Sequence, residues 1–145
     1  MSGMFDLTGK TALVTGAKRG IGRGIAEALH TAGAAVAVLG RDADRAAAAA
    51  GEIGQRAAGF GCDVTEPDSI RAAIAACEAS LGPVDILVNN AGVTRDNLLL
   101  RLSEEEWDEV LAANLRAAFV STQAVLKGMM KRRSGRVINI TSVVG

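Results

Sequence analysis

Short apolar runs alternate along the chain with longer segments in which apolar residues recur at helical spacing. The short runs are rich in aliphatic and β-branched residues, which is typical of buried strands. They predict five strands, over residues Thr11–Val14, Val36–Leu39, Ala57–Cys62, Val84–Val88 and Arg136–Ile140. Four helices are predicted between them, ending near Gly33, Gly54, Ser80 and Arg133.

Two of the predicted helices carry recognisable start signals. Thr65 is predicted to cap the third helix, with Pro67 in its first turn. Ser103 and Glu106 form a capping box that opens the fourth helix.

Strands that are separated by helices indicate βαβ units, and therefore an α/β fold with a parallel sheet. Right-handed crossovers place helices on both faces of such a sheet. We expect a doubly wound, Rossmann-like sheet of strand order 3-2-1-4-5 that stops after the fifth strand. Ligands of these folds bind at the carboxyl ends of the strands. That edge would collect five segments: Gly16–Gly22, Gly40–Arg41, Asp63–Val64, Asn89–Gly92 and Ser142.

Three glycines follow the first predicted strand directly. Gly16, Gly20 and Gly22 lie between Val14 and the apolar face of the first helix. A helix that begins in a glycine loop presents free backbone N–H groups and the positive end of its dipole, which suits a phosphate. The spacing is not that of the usual dinucleotide fingerprint, so an ordinary tight βα turn remains the alternative interpretation.

Composition and charge give no indication of nucleic-acid binding, metal binding or membrane insertion. The 145 residues include 16 basic and 16 acidic residues, and this balance gives no indication of a nucleic-acid partner. Cys62 and Cys77 lack the spacing of metal ligands, so no metal site is predicted and buried thiols are expected. His30, the one histidine, is expected at the surface. With no signal peptide and no apolar run of membrane-spanning length, we expect a cytoplasmic protein with no membrane partner.

At several points the sequence resembles the short-chain dehydrogenase/reductase family. The resemblance rests on the glycine turn with its preceding threonine, a loop after the fourth strand, one helix residue and the end of the fifth strand, namely Thr15–Gly22, Asn89–Gly92, Asn114 and Ile140–Ser142. Within this family, the sequence is most similar to reductases of 3-oxoacyl thioesters in fatty acid synthesis. Four segments carry this closer resemblance, namely Asn89–Leu100, Trp107–Val110, Gly128–Met130 and Thr141–Gly145. Acetoacetyl-CoA reductases are similar in the same segments.

The resemblance implies a role for each matching residue. Gly16, Gly20, Ile21 and Gly22 would hold the dinucleotide pyrophosphate. Asp63 would accept from the adenine amine beside the Val64 backbone, and Asn90, Ala91 and Gly92 would line the ribose and support the central sheet. Asn114 would hold a water in a proton relay, and Ser142 would bind the substrate carbonyl. Taken singly, each asparagine could instead cap a loop or a helix, and the serine could satisfy a backbone group.

The choice of cofactor follows from charge. An acidic residue after the second strand would bind a ribose 2′-hydroxyl and repel a 2′-phosphate. Arg41 occupies that place, and Arg19 adds a second cation in the glycine loop. Lys18 stands where the family commonly has a small hydroxyl residue, and it either adds positive charge or lies in solvent. A guanidinium pairs well with phosphate, so NADP(H) is predicted. A surface arginine at a helix entry is the competing interpretation of Arg41.

The family's chemistry also needs a Tyr-x-x-x-Lys pair soon after the serine, and the 145 residues contain no tyrosine. We therefore expect residues 1–145 to be an NADP(H)-binding domain that is incomplete at its C-terminal side and inactive alone. The complete enzyme would act on acyl-carrier-protein-linked substrates as a homo-oligomer, a tetramer by the resemblance. An unpaired apolar fifth strand would make the isolated segment self-associate. A non-catalytic dinucleotide-binding half-domain and a structural remnant are the alternatives.

Overall fold

A computed structural model describes residues 5–17, 20–90 and 103–140 of the chain. Its centre is a parallel sheet of five strands in the order β3-β2-β1-β4-β5, as the alternation predicts. The strands are β1 (Thr11–Thr15), β2 (Ala35–Gly40), β3 (Ala57–Gly61), β4 (Ile86–Asn89) and β5 (Arg136–Asn139). In the register, Leu13 of β1 lies between Ala37 of β2 and Leu87 of β4.

Helices connect the strands and cover both faces of the sheet. They are α1 (Gly20–Thr31), α2 (Ala43–Ile53), α3 (Pro67–Leu81), α4 (Glu104–Leu111) and α5 (Ala117–Arg132). A π-helical segment, Ala112–Arg116, joins α4 to α5. The single long helix predicted from Ser103 to Arg133 is therefore interrupted near its middle.

Alternate residues of each central strand face two separate apolar cores. Leu13 and Leu87 belong to the core under α3 and α5, where Ile70 and Val125 are also buried. Val14 belongs with the other set of alternate strand residues to the core under α1 and α2. Strands buried on both faces are what a doubly wound parallel sheet requires, so the predicted fold class is confirmed.

Close packing explains the glycines that weaken the prediction of β3. A Cβ atom built on Gly59 would overlap the backbone of Ala46 in α2. The missing side chain lets helix and strand approach each other more closely than a larger residue would allow. The glycine is thus compatible with a strand because of what packs on it.

Two predicted helix ends differ from the structure. The residue that caps α3 is Glu66, without a side-chain hydrogen bond, and Pro67 is the first helical residue. The prediction that Thr65 is the cap is therefore wrong, because its hydroxyl donates to the Asp63 carboxylate instead. The last helix ends at Arg132, one residue before its predicted end, and Arg133 takes a left-handed conformation.

Side chains cap the starts of two other helices. Asp42 caps α2 by accepting from the backbone N–H groups of Asp44 and Arg45. The Ser103 hydroxyl accepts from the backbone of Glu106 at 3.1 Å and donates to its carboxylate at 3.3 Å, which is the predicted capping box. Among the described residues, no helix combines the length and apolar character that crossing a membrane would require.

Candidate functional site

The glycine turn lies at the carboxyl edge of the sheet, as predicted. Gly16 follows β1 directly and Gly20 begins α1, and both have a φ of 64°, a backbone conformation that favours glycine. The Gly16 N–H donates to the carbonyl of Leu39 at 3.0 Å, which fixes the start of the turn against β2. Because α1 has no acidic residue in its first turn, its positive end is not offset by a carboxylate there.

Gly22 is the point of closest packing in this turn. It is buried in the first turn of α1, and a Cβ atom there would overlap the Gly16 carbonyl and the side-chain amide of Asn90. The Asn90 amide donates to that same carbonyl at 3.2 Å. The helix start, the glycine turn and the segment after β4 therefore form one closely packed unit.

The hydroxyl group of Thr15 connects this unit to the end of β4. Its hydroxyl accepts from the Asn90 backbone N–H at 2.9 Å and donates to the Val88 carbonyl at 3.4 Å. The sequence predicts no role for Thr15, whereas Asn90 is predicted to line the ribose and to support the central sheet. Thr15 ends a buried strand, and a buried hydroxyl group needs a hydrogen-bond partner. That need is the signal in the sequence that could have indicated this support.

Two charged residues face each other at the ends of β2 and β3. A guanidinium nitrogen of Arg41 lies 3.6 Å from Oδ1 of Asp63, and the Arg41 side chain is 77% exposed. An exposed ion pair at this distance contributes little to stability. Arg41 is therefore free to exchange this partner for a stronger anion.

The Asp63 carboxylate is organised by its own turn. Its Oδ1 accepts from the hydroxyl of Thr65 at 2.6 Å and from the Thr65 backbone N–H at 3.0 Å. These hydrogen bonds, with the nearby Arg41 charge, hold the pKa of Asp63 below its ordinary value. The carboxylate therefore carries its charge throughout the neutral range.

Val64 and Asn114 are placed differently from each other. Val64 packs its partly buried side chain against the core under α3 and α5, which leaves only its backbone for a ligand. Asn114 lies in the π-helical segment with an exposed side chain. π-Helical turns within α-helices are frequently found at functional sites. Asn114 therefore lies in a widened helical turn.

A second asparagine, for which no role is predicted, lies next to Asn90 at the end of β4. Asn89 is buried at the end of β4, and its side-chain amide donates to Oδ1 of Asn139 at 2.9 Å and to the hydroxyl of Thr122 at 3.4 Å. It therefore ties β4 to β5 and α5.

Five further predicted site residues lie outside the described residues, namely Lys18, Arg19, Ala91, Gly92 and Ser142.

An open cavity of about 400 Å³ lies beside the end of β5. Its lining comes from one side of α5 and from the last strand residue, namely Ala118, Phe119, Thr122, Gln123, Leu126 and Asn139. The lining is mostly apolar and does not include the glycine turn, Arg41 or Asp63.

The cysteines and His30 show no sign of chemistry. Cys62 and Cys77 are buried and unpaired as disulfides, and burial raises the pKa of Cys77 to about 12. A thiol of that kind stays protonated and unreactive. His30 is partly buried, with Nε2 2.7 Å from the Gln55 carbonyl. Residues 5–17, 20–90 and 103–140 hold no cluster of three or more side chains that could bind a metal ion.

Comparison with known proteins places this geometry in context. A family model described as short chain dehydrogenase matches residues 10–145. The chain is 51% identical over 141 residues to 3-oxoacyl-[acyl-carrier-protein] reductase FabG of Vibrio cholerae and 49% identical to that of Escherichia coli. It is 49% identical over 142 residues to nodulation protein G of a Rhizobium species. In each case the match covers at least 97% of this chain, which spans 58% of the relative's length.

A solved structure is similar over the same region. It is the crystal structure of a metagenomic short-chain oxidoreductase in complex with NADP, with a TM-score of 0.85 and 38% sequence identity. The similarity covers 95% of this chain and 63% of that one.

Proposed function

The chain belongs to the short-chain dehydrogenase family, and from that premise we propose that its carboxyl sheet edge binds NADP(H). The observation that carries the cofactor assignment is Arg41, an exposed guanidinium at the end of β2, one strand from the glycine turn. The helix start at Gly20 and the tight packing at Gly22 fit a pyrophosphate that approaches the backbone. The NADP complex of the similar oxidoreductase supports the same assignment.

Each residue of the edge receives a role in this proposal. Gly16, Gly20, Ile21 and Gly22 hold the pyrophosphate, and Asn90 supports their turn through its bond to the Gly16 carbonyl. Arg41 binds the 2′-phosphate, with Lys18 and Arg19 adding positive charge. Asp63 accepts from the adenine amine beside the Val64 backbone, and Ala91 and Gly92 line the ribose.

We further propose that this sequence serves the reduction of a 3-oxoacyl thioester carried by acyl carrier protein to its 3-hydroxyacyl form. NADPH would supply the hydride. Ser142 would donate a hydrogen bond to the substrate carbonyl, and Asn114 would hold a water for proton transfer. The names of the relatives from Vibrio cholerae and Escherichia coli support this substrate class. An acetoacetyl-CoA substrate is the alternative, and a direct comparison of the two thioester carriers distinguishes them.

Affinity for the two nicotinamide dinucleotides tests the cofactor assignment. By calorimetric titration, we expect NADPH to bind about tenfold or more tightly than NADH, because a charge-assisted bond to the 2′-phosphate contributes about 1.5–3 kcal/mol. Arg41→Gln should remove most of this preference and leave NADH affinity unchanged. Arg45→Gln is the matched control, since Arg45 is similarly exposed and pairs with Asp42 within α2 and its cap. Equal affinities in the unmodified chain would refute the assignment.

A polypeptide of residues 1–145 alone should have no reductase activity. It contains no tyrosine to protonate the carbonyl oxygen as the hydride arrives. With an acetoacetyl thioester, its rate of NADPH oxidation should not exceed that of a protein-free control, although the nucleotide binds. Such a polypeptide would be a non-catalytic dinucleotide-binding unit. Oxidation at an ordinary enzymatic rate would contradict this.

We also propose that the chain forms homo-oligomers through an apolar surface on its last helical segment. Leu115, Phe119, Leu126 and Met130 are large apolar side chains exposed on the π-helical segment and α5, and Ile138 is exposed on β5. In the described part of the chain, β5 pairs with β4 alone. Light scattering should give a mass above that of the monomer, and Phe119→Ser should lower it. A monomer at high concentration would count against the proposal.

A further inference from the structure

The two carboxylate oxygens of Asp63 have different environments. Oδ1 accepts from the hydroxyl and the backbone of Thr65 and lies 3.6 Å from a nitrogen of Arg41. Oδ2 receives no hydrogen bond from any described residue. The carboxylate therefore presents one internally bonded oxygen and one that is available to a donor outside the chain.

The turn that carries this carboxylate is fixed from several sides. The Asp63 backbone N–H donates to the hydroxyl of Ser69 at 2.8 Å, and its carbonyl accepts from the Glu66 N–H at 3.0 Å. The Thr65 carbonyl accepts from the guanidinium of Arg116 at 3.3 Å. The backbone on both sides of the carboxylate is thus held by α3 and the π-helical segment. Rotation about the side-chain bonds is the freedom that remains.

That rotation is limited chiefly by the Thr65 hydroxyl. Its bond of 2.6 Å to Oδ1 is the shortest of the three contacts, and it is charge-assisted. Arg41 is exposed and more distant, so it cannot fix the carboxylate alone. Without the hydroxyl, Oδ1 would keep only the Thr65 backbone N–H at 3.0 Å and the more distant Arg41, so the direction of Oδ2 would be less closely fixed.

We propose that Thr65 is a positioning residue that aims Oδ2 of Asp63 at the exocyclic amine of the adenine base. The proposal rests on the proposed NADP(H) site, and goes beyond it by making base selectivity depend on a hydroxyl that does not touch the ligand. Groups that orient a contacting side chain commonly determine how well it acts.

Base selectivity is measured with NADPH and its hypoxanthine analogue, in which a carbonyl replaces the exocyclic amine. In the unmodified chain the analogue should bind about tenfold more weakly, because its carbonyl faces a carboxylate and the amine donor is lost. Thr65→Val removes the hydroxyl at nearly constant shape and should reduce this ratio by about threefold or more. Thr65→Ser keeps the hydroxyl and should restore it.

The chain offers a matched control in a second Asp-x-Thr turn. The Thr8 hydroxyl donates to Oδ1 of Asp6 at 2.6 Å and its backbone N–H donates at 2.9 Å, just as in the Asp63 turn. This turn precedes β1 and so lies at the amino edge of the sheet. Thr8→Val should leave the affinity ratio unchanged. An unchanged ratio would show that the effect of Thr65→Val comes from the lost orientation of the Asp63 carboxylate and not from a general loss of stability.

The outcomes distinguish this proposal from the function on which it rests. If the unmodified chain binds no NADPH, the proposed site itself is wrong. If NADPH binds and the ratio in Thr65→Val equals that of the unmodified chain, the positioning role is refuted while the site stands. Should Thr65→Val fail to fold, Thr65→Ala supplies the same comparison. Failure of Thr65→Ser to restore a lowered ratio would also overturn the proposal.

Discussion

At the scale of single residues, the site depends on what one glycine leaves out. Gly22 does not have a positive φ, yet a side chain there would overlap the Gly16 carbonyl and the Asn90 amide. The glycine spacing predicted a close approach of backbone to phosphate. It did not reveal that the same glycine lets the segment after β4 reach the turn, because that contact joins residues 74 positions apart.

A pair of glycine substitutions within α1 tests this packing. Gly22→Ala should destabilise the chain by about 1–3 kcal/mol, the usual cost of forcing an extra methyl group into a packed site. Gly24→Ala should stabilise it by up to about 1 kcal/mol, because nothing lies within 4 Å of that position and alanine favours helix. The free energy of unfolding from urea titration measures both. Equal stability of the two variants would contradict the account.

Other residue assignments came from type and position together. Arg41 and Asp63 were placed at the site because each follows a predicted strand, and the structure brings them within 3.6 Å of each other. The predicted strand order makes the ends of β2 and β3 neighbours, but it does not fix the directions of side chains, so the ion pair itself was not predicted. The assignment of Thr65 as a helix cap failed because a nearby carboxylate competes for the same hydroxyl.

At the scale of elements, periodicity predicted which segments are helices and strands, and missed where they change. The apolar pattern from Ser103 to Arg133 is continuous, so it indicates one helix. The π-helical turn lies within this run, and apolar residues continue on both sides of it, so the pattern alone did not indicate where the helix changes. Asn114 lies in that turn, so the feature that sequence analysis missed coincides with a residue that it singled out.

Strand boundaries were displaced for a related reason. β4 begins at Ile86, although the apolar run begins at Val84. The Asp85 carboxylate accepts from the Thr11 N–H at 2.9 Å, so a side chain takes part in joining the strands just ahead of the regular pairing. Hydrophobicity marks what is buried, and Val84 is buried, but burial alone does not define a strand.

At the scale of the whole molecule, the alternation of strands and helices was sufficient to predict the sheet. Right-handed crossovers and burial on both faces leave few arrangements, and the order β3-β2-β1-β4-β5 is the one observed. That order places the ends of β1, β2 and β3 side by side. The glycine turn, Arg41 and Asp63 therefore lie along one edge of the sheet.

The central claim is that NADP(H) lies along this carboxyl edge. The most direct test is a map of backbone amide chemical shifts in the labelled chain as NADPH is added. The largest changes should fall on Gly16, Gly22, Arg41, Asp63 and Asn90, with Arg41 responding less to NADH. Residues that precede the strands at the opposite edge, such as Lys10 and Gly33, should change little. Changes confined to that opposite edge, or none at saturating NADPH, would contradict the account.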